Sequence, residues 1–296
     1  MEYPKFIMSS DPHLRPDTPE ARLDDYLESQ KKIIELLRHY VEDLGYIALC
    51  SGDVTHRARE RKEPVTFVNF LLENLPLMYG VEGNHDELYH SSDHLRHTTL
   101  GSLVFANKYK RIEHEVFGNV HVYGYGYGKK IQHVGRGNAQ DFVNIAVYHG
   151  MVLQERNPFF DGLIAEDILK EFPEYDIILT GDNHKTFVVS LDNRVLINAG
   201  SWKRDSVDQI DHKPVMFTFD SFTRKIDIVP IPTDNDIIST EHIEKEKARN
   251  ERLETLSDTF KEVRNITLDY ENNLYNFYEE NKTEQDVQRK IETWMH

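Results

Sequence analysis

The 296-residue chain has a single cysteine, Cys50, so it can form no internal disulfide and cannot build a thiolate zinc site; its stability has to come from packing. It also lacks any apolar run approaching the roughly 18 residues of a membrane span. Met1-Glu2-Tyr3-Pro4-Lys5 leads directly into a short apolar stretch without the design of a signal peptide, so a cytoplasmic address and no membrane partner are expected. Basic residues are in deficit, 35 against 51 acidic, and the formal net charge of −16 argues against a protein that simply coats nucleic acid. Chemistry on phosphates stays open, because divalent cations held by those carboxylates reverse the local field. No internal repeat and no low-complexity tract is found. What is present suffices for a core: 39% hydrophobic and 11% aromatic residues, together with 15 histidines that join the carboxylates as raw material for metal sites.

Short apolar runs alternate with helical periodicity over the first two-thirds of the chain, an α/β rhythm. The runs lie at 6–8, 46–50, 77–79, 120–123, 145–148, 177–179 and 195–197, and are solid enough to be buried strands. Leu23, Tyr26, Leu27, Ile33, Ile34, Leu36, Leu37 and Tyr40 predict a crossover helix that Gly45 ends, with further helices at 64–75 and 163–172. Residues 215–219 and 225–229 read as a hairpin. The domains expected are 1–205, a capping hairpin region at 206–235, and a polar helical tail at 236–296. The tail carries a short apolar seam at Leu253, Leu256, Phe260 and Val263 and a capping signal at Thr283 and Asp286.

Five runs are followed at once by a possible metal ligand: Asp11 and His13, then Asp53, then Asn84 with His85, then His149, then Asp182 with His184. Ligands in open α/β sheets collect at the carboxyl ends of strands, so these side chains are expected on one rim. The residue types suit two ions. Asp11, His13 and His184 would hold the first, Asn84, His149 and Asp182 the second, and Asp53 would bridge them at about 3.5–4 Å. Mixed nitrogen and oxygen donors favour manganese, iron or zinc over calcium. Such a pair activates water near neutral pH and polarises a phosphoryl oxygen, so phosphoester hydrolysis is the natural chemistry. Each tripeptide alone is more often a turn; the ordered set is the signal.

This order of Asp-x-His, Gly-Asp, Gly-Asn-His-Asp, His-Gly and Gly-x-x-His resembles the calcineurin-like metallophosphoesterases. Within them, 23–30, Gly52-Asp53-Val54-Thr55-His56-Arg57, 96–101 and Asn198-Ala199-Gly200-Ser201-Trp202-Lys203-Arg204 resemble the double-strand-break nuclease branch, the SbcD-type and meiotic recombination eleven-type exonucleases. The resemblance spans about 5–230. It implies a four-layer sandwich of two mixed sheets flanked by helices, two manganese ions (with magnesium, iron or zinc as alternatives), a small cap, a homodimer, DNA as substrate and an ATPase partner of the SbcC type. It also implies that His85 lies over the metals as general acid. Two positions depart from the pattern. Asp182 stands where a histidine is usual, which favours harder ions, and Ala199 replaces a proline.

Other features admit plainer readings. His90, His94 and His97 have helical spacing but no carboxylate to complete a site. Gly124, Gly126 and Gly128 lack the dinucleotide-binding spacing. Arg57, Arg59, Arg61 and Lys62 beside Asp53, and Lys108, Lys110 and Arg111, could meet a phosphate backbone or be solvated surface charge; Arg57 and Arg59 are the substrate-binding candidates. Tyr123, Tyr125 and Tyr127 suit base stacking or a half-buried strand equally. The function expected is metal-dependent cleavage of DNA, a 3′-to-5′ exonuclease with endonuclease capability; the alternatives are a phosphatase or cyclic-nucleotide phosphodiesterase, and a non-catalytic scaffold.

Overall fold

The structure is a computed structural model that describes residues 2–57, 64–90, 92–135, 142–158, 161–233 and 237–239, and positions 277–279, 282, 285, 287–289 and 293. The chain divides into two compact units, Met1–Ser239 and Thr240–His296. In the second unit the helical residues described are 277–279, 285, 287–289 and 293; the seam at 253–263 and the capping signal at Thr283 and Asp286 lie outside the described residues. No described helix is long and apolar enough to cross a membrane.

In the first unit, β1 (Lys5–Ser9) is followed by α1 (Tyr26–Arg38), β2 (Ile47–Cys50), α2 (Val65–Asn74), β3 (Met78–Gly80), α3 (Thr99–Phe105) and β4 (Tyr109–Arg111). The strands of this series pair in parallel, each with the next. Next come β5 (His114–Phe117), β6 (Val120–Tyr125), β7 (Val143–His149), β8 (Val152–Leu153), β9 (Leu163–Ile164), α4 (Ala165–Glu171), β10 (Ile177–Gly181), β11 (Phe187–Leu191) and β12 (Arg194–Asn198). The hairpin of β13 (Val215–Asp220) and β14 (Lys225–Pro230) follows. The result is two six-stranded mixed sheets, ordered β14-β13-β1-β2-β3-β4 and β11-β12-β10-β7-β6-β5, and a small β8-β9 pair.

Local chemistry explains the elements. Asp25 caps α1 by accepting from the Glu28 N–H at 3.1 Å, and Tyr26, Ile33, Ile34 and Leu37 recur on its buried face. A π-helical turn, His39–Asp43, then leads to Gly45 at φ +72°. Side-chain alternation along the strands divides the core into layers. Ile7 packs with Ile34, Leu71 and Leu100 beneath the helices, while its neighbours Phe6 and Met8 face Val122, Ile145, Leu179 and Ile197 of the second sheet. Ala146, Ile178 and Leu196 point the other way, onto Ile168 and Leu169 of α4. Helices, sheet, sheet and helix thus make the four layers expected.

The structure departs from the sequence reading at the hairpin. β13 pairs antiparallel with β1 from Lys5↔Asp220 to Met8↔Phe217, so the segment placed in a capping region instead extends the first sheet. Its inward residues Phe217 and Phe219 are needed between the sheets. Beyond it, the Leu23 N–H donates to Ile237 O at 3.0 Å and the Ser239 N–H to Ala21 O at 2.8 Å, tying 237–239 to the loop before α1.

Candidate active site

Three parallel strands, β1, β2 and β3, end side by side, and the loops after them are joined beyond the sheet. The His13 N–H donates to Asp53 O and the Leu14 N–H to Val54 O, both at 2.9 Å, and the His56 N–H returns to Leu14 O at 3.0 Å. Several residues here are left-handed: Asp11 (φ 48°), His13 (φ 43°) and Asp53 (φ 52°), with Asp182 (φ 84°) across the site. Such backbone costs about 1–2 kcal/mol for a residue with a Cβ and persists only where its surroundings impose it. The surroundings are on view. The buried Lys203 ammonium donates to Pro12 O and, at 3.2 Å, to His13 O; the Ser10 hydroxyl donates to Gly200 O at 2.9 Å. Asp86, fully buried, accepts from the N–H groups of Val54, Thr55 and Gly83 at 3.0, 2.9 and 3.1 Å, clamping the β2 loop to the β3 loop.

Asp53 lies at the middle. Its Oδ2 is 3.4 Å from His13 Nε2 and its Oδ1 is 3.6 Å from His149 Nε2, so the two oxygens address histidines from different sheets. His13 Nε2 is 3.0 Å from His184 Nε2, and His149 Nε2 is 3.1 Å from Asn84 Oδ1. The donor atoms of Asp11, His13 and His184 gather within 4.8 Å of one another, as do those of Asp11, Asp53 and His149. Asp11, His13, Asp53, Asn84, His149 and His184 therefore converge from 11 to 184. Asp182 is placed differently: its N–H donates to Asp11 Oδ1 and Oδ2 at 3.0 and 3.2 Å, while its carboxylate joins none of these groups among the described residues. Two glycines leave the room required. A Cβ on Gly52, at φ +104°, would stand 2.5 Å from His149 Nδ1, and one on Gly83 would collide with Asp53 Oδ1.

The protonation states follow from burial. Burial lowers His149 to about 4 and His13 well below the usual imidazole range, the latter with the His184 ring adding to the effect. Both are therefore neutral at pH 7. The 2.6 Å contact of His149 Nδ1 with Ser51 O places its proton there and leaves the Nε2 lone pair facing Asp53. His13 Nδ1 has no hydrogen-bond partner among the described residues, so no acceptor holds that ring's proton on Nδ1, while Nε2 faces His184 and Asp53. Burial raises Asp11 to about 7, against hydrogen bonds from Asp182 and Ser10, and raises Asp53 with the Asp11 charge adding to it. Buried carboxylates without a cation are relieved either by a proton or by a metal ion. Neutral imidazole lone pairs beside them supply the remaining donors, so the residues fit divalent ions that accept both nitrogen and oxygen.

A third cluster shares His13. His13, His56 and His85 bring ring nitrogens within 4.8 Å, His56 and His85 being stacked at 5.5 Å between centroids. His85 Nδ1 is 2.6 Å from His56 O, and the His85 N–H donates to Asp53 Oδ1 at 2.9 Å. Sequence reasoning did not select His56, Asp86, Lys203 or Gln209. The available signal was the third position after Asp53 for His56, since the Leu14↔Thr55 bridge carries the pairing of β1 and β2 that far. The Gln209 amide, 3.3 Å from His184 Nδ1 and 3.2 Å from Ser201 Oγ, follows from tertiary structure alone.

The other candidates separate. Arg57 lies near enough to Asp17 to hold its carboxyl down, behind the stronger pull of Arg15, and so sits on the His56 side; Arg59, Arg61 and Lys62 lie outside the described residues. Lys108 donates to Leu75 O at 2.8 Å and Arg111 pairs with Glu82, so that basic patch is engaged in the fold. His94 and His97 are 6.4 Å apart between ring centroids and join no metal-holding group among the described residues. Tyr123 stacks on His114 at 4.4 Å, and the Tyr125 hydroxyl meets that of Tyr175 at 2.6 Å, which favours the strand reading.

No family model matches the chain, and no curated protein matches it. Among solved structures it is similar to an archaeal phosphodiesterase, with 13% identity, 76% of this chain and 99% of that one covered, and a TM-score of 0.41. It is also similar to the protein TT1561 of Thermus thermophilus (12%, 78% and 100%, 0.46). A third is a 5′-nucleotidase described as such from Staphylococcus aureus, in complex with α-ketoglutarate (13%, 83% and 58%, 0.48).

Proposed function

We propose that the chain is a dimetal phosphodiesterase of the calcineurin-like type that cleaves DNA, as the nuclease subunit of an SbcCD-like complex. The observation that carries the hydrolase reading is Asp53, whose two oxygens face His13 and His149 from a buried carboxylate. Asp11, His13 and His184 would hold one ion, Asn84 and His149 the other, with Asp53 between them and Asp182 completing the second from the rim. Two bound divalent cations, manganese foremost, supply Lewis-acid activation of water and of the phosphoryl oxygen. The chain's own groups do the rest. His56 O holds the Nδ1 proton of His85, so a protonated His85 presents Nε2–H to the departing oxygen. Stacking of His56 on His85 keeps that ring from turning away.

The branch assignment rests on motif resemblance together with the Asp-x-x-His arrangement that brings His56 against His85. An ATPase partner accounts for an acidic nuclease, because the partner then supplies the electrostatic grip on DNA. The net charge of −16 favours a second reading, a phosphatase or phosphodiesterase of small phosphoesters. Assay of the full chain with manganese on linear duplex DNA, single strands, a small aryl diester and a monoester separates the two. DNA and aryl diester hydrolysis is expected, and activity confined to the monoester overturns the nuclease reading. His85→Asn should lower turnover by about 10²–10⁴-fold while two ions are still taken up. Deletion of 236–296 should abolish co-purification with the ATPase and homodimer contacts should survive it, as size-exclusion chromatography would show.

A further inference from the structure

A groove of about 830 Å³ opens from the site at Asp182 and His184, which form part of its lining. Met151 and Leu153 give it an apolar wall, and Lys185 and Lys213 also line it. The volume falls in the size class of small-molecule sites and exceeds what a lone phosphate requires.

The groove is built on fixed backbone. The buried Asn198 amide donates to Asn183 O at 2.5 Å and to Lys185 O at 2.7 Å, and the Lys185 N–H donates to Asn183 Oδ1 at 3.1 Å. The Asn183 amide donates to Val152 O at 2.7 Å, joining the lysine-bearing loop to the apolar wall. His212 Nε2 lies 2.8 Å from Ser201 O, which holds the residue before Lys213. Lys185 and Lys213 are exposed and form no ion pair among the described residues. Of the other cations near the site, Arg15 pairs with Asp17, Arg22 with Asp24 and Lys203 with backbone carbonyls, while Arg57 lies on the His56 side. Asp211 also lines the groove, beside Lys213, so the cationic stretch is short.

The structure assigns this groove to the ester arm that stays on phosphorus, with Lys185 and Lys213 holding the one phosphate that flanks the scissile group. The inference rests on the phosphodiesterase reading above. In-line displacement puts the attacking and departing oxygens on opposite sides of phosphorus, and the retained ester oxygen projects sideways. With the departing oxygen at His85, a sideways arm on the His184 side runs into the groove. A monoester has no such arm. The apolar wall suits a base or sugar face, and two ammonium groups separated from the metal ligands suit the next phosphate along a single strand.

The test uses the full-length chain carrying His85→Asn, with manganese and a fluorescently labelled tetrathymidylate, read by anisotropy across salt concentrations. Adding Lys185→Ser and Lys213→Ser should weaken binding about tenfold at low salt. It should also make the slope of log affinity against log salt shallower by about 0.7, the amount for one phosphate on a single strand. In the chain with His85 intact, the same pair of changes should raise KM for the tetranucleotide about tenfold relative to KM for bis(p-nitrophenyl) phosphate. Unchanged affinity and slope, or no binding of the strand by the parent chain, overturns the assignment. Failure of the parent enzyme on both diesters with no metal uptake overturns the phosphodiesterase reading instead, and the salt slope still decides the groove.

Discussion

The loops after β2 and β3 are clamped to one another by a buried carboxylate, whereas the residues after β7 and β10 lean in part on the first sheet. On the first sheet, Asp86 clamps the β2 and β3 loops through three N–H groups, and Lys203 holds the carbonyls of Pro12 and His13. On the second, His149 is oriented by Ser51 O, the Asp182 N–H leans on Asp11, and the Ser201 N–H meets His184 O at 3.3 Å. One half of the site is thus braced by Asp86 from within and by Lys203 from the segment after β12, and the other is docked against it at His149 and Asp182. The difference explains why the buried carboxylates Asp11, Asp53 and Asp86 all lie on the first sheet: that half holds most of the charge that must be compensated.

The contrast can be broken at its strong side first. Gly83→Ala drives a Cβ into Asp53 Oδ1, the oxygen that reaches His149, and should lower diester hydrolysis by about a hundredfold or more, with metal uptake measured alongside. Lys203→Met, which keeps the volume and removes the donors to Pro12 and His13, should weaken binding of the ion at His13 and His184 about tenfold; titration calorimetry with manganese checks it. Gln209→Ala touches only the docked half, through His184, and should cost a few-fold in the same titration; an effect larger than that of Lys203→Met would reverse the ranking of the two halves. Asp182→His sharpens the comparison with the least disturbance, since its N–H contact to Asp11 is backbone: the rate ratio of zinc or iron to manganese should rise a few-fold.

How much of this was legible in the sequence differs by kind of interaction. Strand runs such as 145–148 and 177–179 stand out because burial on both faces forces unbroken apolar residues, and β7 and β10 contain them. The candidate ligands could be picked out because each follows such a run. By contrast β4, β5 and β11 were missed: their burial patterns, such as that of His114–Phe117, mix exposed and half-buried positions at the sheet margins. The clamps were hidden for another reason. Asp86 matters through which backbone N–H groups lack partners, and Lys203 through two carbonyls some 190 positions earlier, neither of which leaves a periodic trace. The hairpin was recognised as local structure, but its pairing with β1 depends on which sheet edge remained open.

The span between the first and last of the converging side chains has a consequence for biogenesis. Because His184 arrives on the strand end that must settle against loops made more than a hundred residues before it, a chain still emerging from the ribosome, or one cut short ahead of β10, lacks the assembled histidine and carboxylate cluster. The activity proposed above would thereby stay silent until the second sheet has closed on the first, a safeguard that arises from strand order alone.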